Sequence, residues 1–97
     1  MRKKTGKKKP TNKEFRKRFP ARDSAAVRAL AANLRRLRKA RHWSQDHLAA
    51  ELEIEQNAVS LLENSRSNPT LLLIEQMAEV FGVSVSELLV RPRAEDH

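Results

Sequence analysis

The chain has 97 residues, of which 39% are apolar and 33% charged, with no cysteine, two glycines and a formal net charge of +8. That length suits one domain with short extensions and excludes a two-domain enzyme. The missing cysteines exclude disulfides, thiolate metal sites and thiol nucleophiles, and two glycines are too few for a glycine-rich phosphate cradle. No run is apolar enough to span a bilayer. The basic start has no apolar stretch behind it, as a secretory signal would. The expectation is a cytoplasmic, nucleoid-associated protein with no membrane partner.

The charge is unevenly placed. Residues 1–43 carry 17 of the 20 Lys and Arg residues and two acids, a net of +15. Residues 44–97 carry three Arg and ten acids, a net of −7. A basic N-terminal part joined to an acidic remainder points to a polyanionic partner, nucleic acid before membrane.

Residues 1–22 read MRKKTGKKKPTNKEFRKRFPAR, half of them Lys or Arg. Phe15 and Phe19 are its only large apolar groups besides Met1, too few for a packed core, and self-repulsion predicts a disordered basic arm. Such an arm follows phosphates or enters a groove; its plainer reading is a solubilising tail. The folded domain is expected over 23–90, with a frayed tail over 91–97.

Asp23 and Ser24 are good N-caps, and Val27, Leu30, Leu34 and Leu37 mark one face of a first helix over about 24–41. Arg35, Arg36, Lys39 and Arg41 lie off that stripe. Ser44 caps a second helix, QDHLAAEL, with Trp43 and Leu48 at the hydrophobic-staple positions. After Glu53-Ile54-Glu55 comes a third helix, QNAVSLLEN, with Ala58, Val59 and Leu62 inward. Gln56, Asn57, Ser60 and Leu61 form its opposite face. Asn64 is suited to a left-handed C-cap. Thr70 caps a fourth helix to about Phe81, with Leu71, Ile74, Met77, Ala78 and Phe81 inward, and Gly82 stops it. Ser84 and Glu87 form a capping box that opens a fifth helix ending by Val90. With no strand pattern anywhere, the fold class is all-α: five short helices preceded by the arm.

Two short helices joined by about three residues over 44–64 have the layout of a helix-turn-helix. Ser44-Gln45 and Leu48-Ala49, Glu63, Asn68-Pro69, Phe81-Gly82-Val83-Ser84 and Glu87-Leu88-Leu89 follow in order at the right intervals. On these residues the chain resembles the phage repressor/Cro (XRE-like) family of helix-turn-helix DNA-binding domains over 30–89. The resemblance implies that the third helix lies in the major groove of double-stranded DNA, with Gln56, Asn57, Ser60 and Leu61 facing the bases. It implies phosphate contacts from Gln45, Asn64, Arg66 and Ser67, and an internal ion pair between Arg38 and Glu63. Gln and Asn suit adenine, and Leu suits a thymine methyl.

Three positions depart from the family pattern. Glu53 stands where Gly is common, so the turn is expected to adopt another geometry. Glu55 replaces the usual Ser or Thr cap, and Ser65 replaces a common Gly. The third helix also has no Lys or Arg, so affinity is expected from Arg66, the basic residues of the first helix and the arm.

Leu71-Leu72-Leu73-Ile74 and Val85, Leu88, Leu89 and Val90 exceed what one small core needs. They predict a homodimer with Leu72, Val85, Leu88 and Leu89 at its interface. A dimer of this kind reads a roughly palindromic site. The functional expectation is a sequence-specific transcriptional regulator, a repressor by type. No enzymatic activity, cofactor or metal is expected: His42 and His47 do not share a helix face, and no nucleophile–base set has a pocket around it. Two other readings stay open. One is an antitoxin-type protein that binds a toxin-like partner and autoregulates its operon. The other is a non-specific nucleic-acid-binding protein dominated by the arm.

Overall fold

The computed structural model describes residues 24–92. The arm over 1–22, the Asp23 cap and residues 93–97 of the tail lie outside the described residues. Within them the chain forms five helices and no strand: α1 (Ala25–Ala40), α2 (Gln45–Leu52), α3 (Gln56–Glu63), α4 (Leu71–Phe81) and α5 (Val85–Leu89). No helix among the described residues is long and apolar enough to cross a membrane.

Four helices start on a side-chain cap. The hydroxyls of Ser24, Ser44, Thr70 and Ser84 accept from the N–H groups of Val27, His47, Leu73 and Glu87 at 3.0–3.1 Å. At Ser84 the Glu87 carboxylate returns the bond by accepting from the Ser84 N–H at 2.7 Å. Each such cap satisfies a donor that the first turn leaves open and is worth about 1 kcal/mol.

Four helices also end alike, and here the structure departs from expectation. His42, Glu53, Ser65 and Gly82 all have φ between 57° and 68°. At each, the residue itself and the next donate back to the last turn. At Glu53 the pair is Glu53 N–H to Ala50 O (3.2 Å) and Ile54 N–H to Ala49 O (2.9 Å). At Ser65 it is Ser65 N–H to Leu62 O (3.3 Å) and Arg66 N–H to Leu61 O (2.9 Å). This paired pattern is the Schellman motif, which needs a left-handed residue one place beyond the helix cap. Only one of the four is glycine. Glu53 therefore keeps the left-handed turn rather than another geometry. Asn64, expected to be left-handed, instead has φ −106° and ψ 14°, and its side-chain amide donates to Ser60 O at 2.7 Å. The left-handed place falls one residue later, on Ser65.

The core gathers Leu30, Leu34, Leu48, Ala49, Leu52, Val59, Leu62, Ile74, Met77, Ala78, Phe81 and Leu88. α1 packs on α3 and α5, α2 on α3 and α4, and α4 on α5. Leu88 is fully buried in this core, so within one chain it is committed inward and is not a surface residue for a dimer. The Asn33 amide on α1 donates to the Glu87, Leu88 and Val90 carbonyls and so ties the end of α5 to α1. Leu71 corrects the inward set of α4. It and Leu72 are 73% and 70% exposed. Leu73 packs half-buried against the core and Ile74 is the first buried α4 residue, and Leu71 lies almost one turn, about 5 Å, short of Ile74. Ala58 and Trp43 are half-buried, and the Trp43 ring stacks on His47 with centroids 4.4 Å apart.

Candidate DNA interface

The site rests on a buried ion pair. Glu63, the last residue of α3, is 2% exposed. Its carboxylate accepts from Arg38 Nε at 2.7 Å and Nη2 at 3.0 Å, a two-point contact that suits the guanidinium fork. Arg38 Nη1 donates to Trp43 O at 2.8 Å. The pair thus ties the end of α3 to α1 and to the link before α2. Both charges are well supplied with partners, the condition under which a buried pair is tolerated.

A third donor reaches Glu63. Gln45, the first residue of α2, donates from Nε2 to Glu63 Oε1 at 3.1 Å. The ion-paired carboxylate can only accept, so the Gln45 amide must turn its nitrogen inward and its oxygen outward. That oxygen accepts from Gln56 Nε2 at 2.6 Å. A primary amide has two N–H groups. Gln56 spends one on Gln45, which leaves it a second N–H and its carbonyl oxygen. A donor and an acceptor side by side are what the N7 and N6 edge of adenine requires. The direction of the Gln56 amide therefore follows, through two hydrogen bonds, from a charge in the core.

Gln56, Asn57, Ser60 and Leu61 fall at i, i+1, i+4 and i+5, one face of α3. Gln56, Asn57 and Leu61 are exposed and Ser60 is half-buried, while Val59, Leu62 and Glu63 turn to the core. Arg66 is exposed and Ser67 half-buried in the loop that follows. Asn64 is exposed, with its amide nitrogen engaged on the end of its own helix. The structure thus brings Arg38, Glu63, Gln45 and Gln56 into one connected network. The loop residues Arg66 and Ser67 stand outside it.

Sequence reasoning missed two polar anchors, one on α1 and one just past its end. Asn33 is buried and its Nδ2 donates to Glu87 O (3.2 Å), Leu88 O (2.8 Å) and Val90 O (2.8 Å), closing the end of α5. Its Oδ1 accepts from Arg36 Nη2 at 3.0 Å. The signal was its place, three residues after Leu30 and beside Leu34 on the apolar stripe. Arg41 donates to Val80 O (2.8 Å) and Phe81 O (3.0 Å), capping α4, with its guanidinium 5.1–5.2 Å from the Phe81 and Trp43 rings. Arg36, Arg38 and Arg41 therefore each donate a hydrogen bond within the domain, Arg41 from an exposed position, while Arg35 and Lys39 are exposed.

Paired short helices with one polar face exposed and the junction locked by a buried ion pair define a helix-turn-helix nucleic-acid-binding domain. A helix-turn-helix family model matches residues 34–88, more than half of the chain. A Neisseria hypothetical transcription factor from Neisseria meningitidis serogroup B is 39% identical over 72 residues, covering 73% of this chain and 68% of that protein. The HTH-type transcriptional regulator y4dJ of Sinorhizobium fredii is 33% identical over 60 residues, covering 62% of this chain and 78% of that protein. The crystal structure of the hypothetical transcription factor NHTF from Neisseria matches with a TM-score of 0.67 at 37% identity, over 70% of this chain and 76% of that one. The chain belongs to the phage repressor/Cro-type (XRE-like) helix-turn-helix family of DNA-binding transcriptional regulators.

Proposed function

We propose that the chain is a repressor that binds a palindromic operator as a homodimer, with α3 of each copy in the major groove. The observation that carries the reading is the α3 face itself. Gln56, Asn57, Ser60 and Leu61 lie together outside the core, and the first of them is held by Gln45 with its base-reading edge free. Gln45, Asn64, Arg66 and Ser67 flank that face and contact phosphates, which position the domain without reading sequence.

One eight-residue helix reads too few base pairs to define an operator, and a two-fold dimer doubles the readout. Leu72 at 70% exposure and Val90 at 61% are the apolar groups that a second copy covers, with the half-buried Val85 and Leu89 beside them. Residues 1–22 act as a separate basic arm that adds salt-sensitive affinity. An antitoxin role would need a partner segment, and nothing in the described residues favours it.

The test is a selection from random duplex DNA with the full-length protein and with Leu72→Glu, alongside sedimentation at micromolar concentration. The expected result is one enriched palindrome and a dimer for the parent. Leu72→Glu should give a monomer whose affinity for the palindrome falls at least tenfold. No enrichment would overturn operator reading, and a parent monomer would overturn the dimer.

A further inference from the structure

Arg36, Arg38 and Arg41 all donate within the domain, but they are not equally supplied with acceptors. Arg38 has the Glu63 carboxylate and a carbonyl. Arg41 has two carbonyls and two aromatic rings. Arg36 has one neutral acceptor, the Asn33 Oδ1 that takes a hydrogen bond from its Nη2. Its Nε is buried with no partner, the one such side-chain atom among the described residues. A guanidinium stays charged in any protein environment and carries five N–H donors. A half-buried guanidinium without a counter-charge is costly, and an orphaned buried donor asks what ion or ligand completes it.

Arg36 lines an open cleft of about 350 Å³ between α1 and α5, with Asn33 beside it and Glu87 and Arg91 across from it. That volume falls at the lower end of small-molecule sites, about 300–1,000 Å³. The acceptors around the cleft are engaged. The Glu87, Leu88 and Val90 carbonyls that end α5 accept from Asn33 Nδ2. The Glu87 carboxylate, the one acid lining the cleft, accepts from the Ser84 N–H at the start of α5. Donors remain. Arg36 keeps Nη1 and the second N–H of Nη2, and Arg91 is exposed with no hydrogen bond or ion pair among the described residues. Guanidinium forks of this kind match the paired oxygens of a carboxylate or a phosphate.

We infer that the cleft between α1 and α5 binds a small-molecule oxyanion, a carboxylate or phosphate group held by the outer edge of the Arg36 guanidinium with Arg91 as the second cation. The inner edge is closed, Nη2 by Asn33 and Nε by burial, which leaves the Nη1–Nη2 edge for the ligand. An oxyanion there supplies the counter-charge that Arg36 lacks. Asn33 is a positioning residue, since its one amide holds both the end of α5 and the Arg36 fork. Val90 and Pro92 give the cleft an apolar wall for the body of the ligand. The cleft shares no residue with the candidate DNA interface, so it is separate from the reading face.

The test titrates the full-length, isotope-labelled protein with phenyl phosphate, with benzoate and with phenol, at an ionic strength held constant with sodium chloride. The Asn33 side-chain amide and the Val90 and Arg91 backbone N–H signals in NMR spectra report on the cleft and not on the basic arm. At least one of the two anions is expected to move these signals to saturation, and which one does so names the group. Phenol carries the same ring without the charge and should not. Arg36→Gln should weaken the binding about tenfold, the loss expected for a hydrogen bond to a charged group. Arg91→Gln should weaken it about threefold, as suits an exposed pair. Arg91 lies on the surface past α5, so its variant reports on the site even if Arg36→Gln fails to fold. Arg16→Gln, Lys17→Gln and Arg18→Gln together, in the arm, should leave the binding unchanged. No saturating response to either anion would overturn the inference. So would an equal response to phenol, a response that survives in both cleft variants, or one lost with the arm substitutions. If duplex DNA moves the same signals and neither anion does, the cleft is a contact to the DNA backbone and the small-molecule site is overturned.

Discussion

Glu63 and Glu55 stand at opposite ends of one eight-residue helix and meet opposite surroundings. Glu63 is 2% exposed and accepts from three side-chain donors on two other helices. Glu55 is exposed and its carboxylate has no hydrogen-bond partner among the described residues. The same functional group fixes the helix at one end and faces outward at the other. A reading helix needs both. Its base-facing groups discriminate only if held in place, and they must be left unsatisfied by the protein so that the partner satisfies them. The Gln45 bridge joins the two requirements, because it passes the orientation set at Glu63 to Gln56.

Breaking the buried end should have the largest effect. Glu63→Ala leaves the Arg38 guanidinium, itself only 11% exposed, without its counter-ion. The expected loss is about 3–5 kcal/mol, the usual result of removing one member of a buried pair. That is a large part of the stability of a domain this small. Urea unfolding followed by far-UV circular dichroism measures it. Replacing Arg38 and Glu63 together by Met and Leu should restore much of the loss, since no charge is left stranded. A single variant within 1 kcal/mol of the parent would show that the pair does not anchor α3.

Asn33 sharpens the comparison, because on the same α1 it does with a neutral amide what Arg38 does with a charge. Asn33→Ala strips three carbonyls at the end of α5 of their shared donor. The expected cost is about 1–3 kcal/mol, less than at Glu63 because no net charge is exposed to an apolar interior. The two sites act on different helices, so the double variant should lose roughly the sum of the two single losses. Urea titrations of the three variants check both the order and the additivity.

The starts of the helices were legible because their signals are local. Ser24, Ser44, Thr70 and Ser84 are small hydroxyl residues just before apolar periodicity, and each caps as its position implies. The Arg38–Glu63 pairing was legible only through the family resemblance, since spacing cannot place residues 25 apart in contact. The helix ends were harder to read. Only Gly82 carried the expected residue. At His42, Glu53 and Ser65 the returning chain imposes the left-handed turn on residues that do not favour it. Asn33 and Arg41 were hidden for a related reason. Their acceptors are carbonyls 39–57 residues away, and backbone acceptors leave no mark in a sequence. Leu88 shows the limit of counting apolar residues. The apolar residues on α5 outnumber those the core takes, and a count does not say that Leu88 is buried while Val90 is exposed.

Glu53 supplies the smallest and most separable test, on the turn that joins α2 to α3. It has φ 57° and ψ 42° and is exposed. For a residue with a Cβ the left-handed region costs about 1–2 kcal/mol. Glycine removes that strain but gives the unfolded chain more freedom, which returns about 0.4–1 kcal/mol. Glu53→Gly should therefore stabilise the domain by about 0.5–1 kcal/mol. Removing a surface charge beside Glu51 and Glu55 could contribute by itself, so Glu53→Ala is the necessary partner. Alanine drops the same charge and keeps the Cβ, and glycine should exceed it by about 1 kcal/mol in urea unfolding. The two closing bonds of the turn are made by backbone N–H groups that every substitution except proline retains. The α2–α3 angle, and with it the Gln45–Gln56 contact, should then survive, and operator selectivity should match that of the parent. Equal stability for glycine and alanine would mean that the turn relaxes without cost. In that case the glutamate at this junction would act through its charge alone, as a third acidic group near the reading helix.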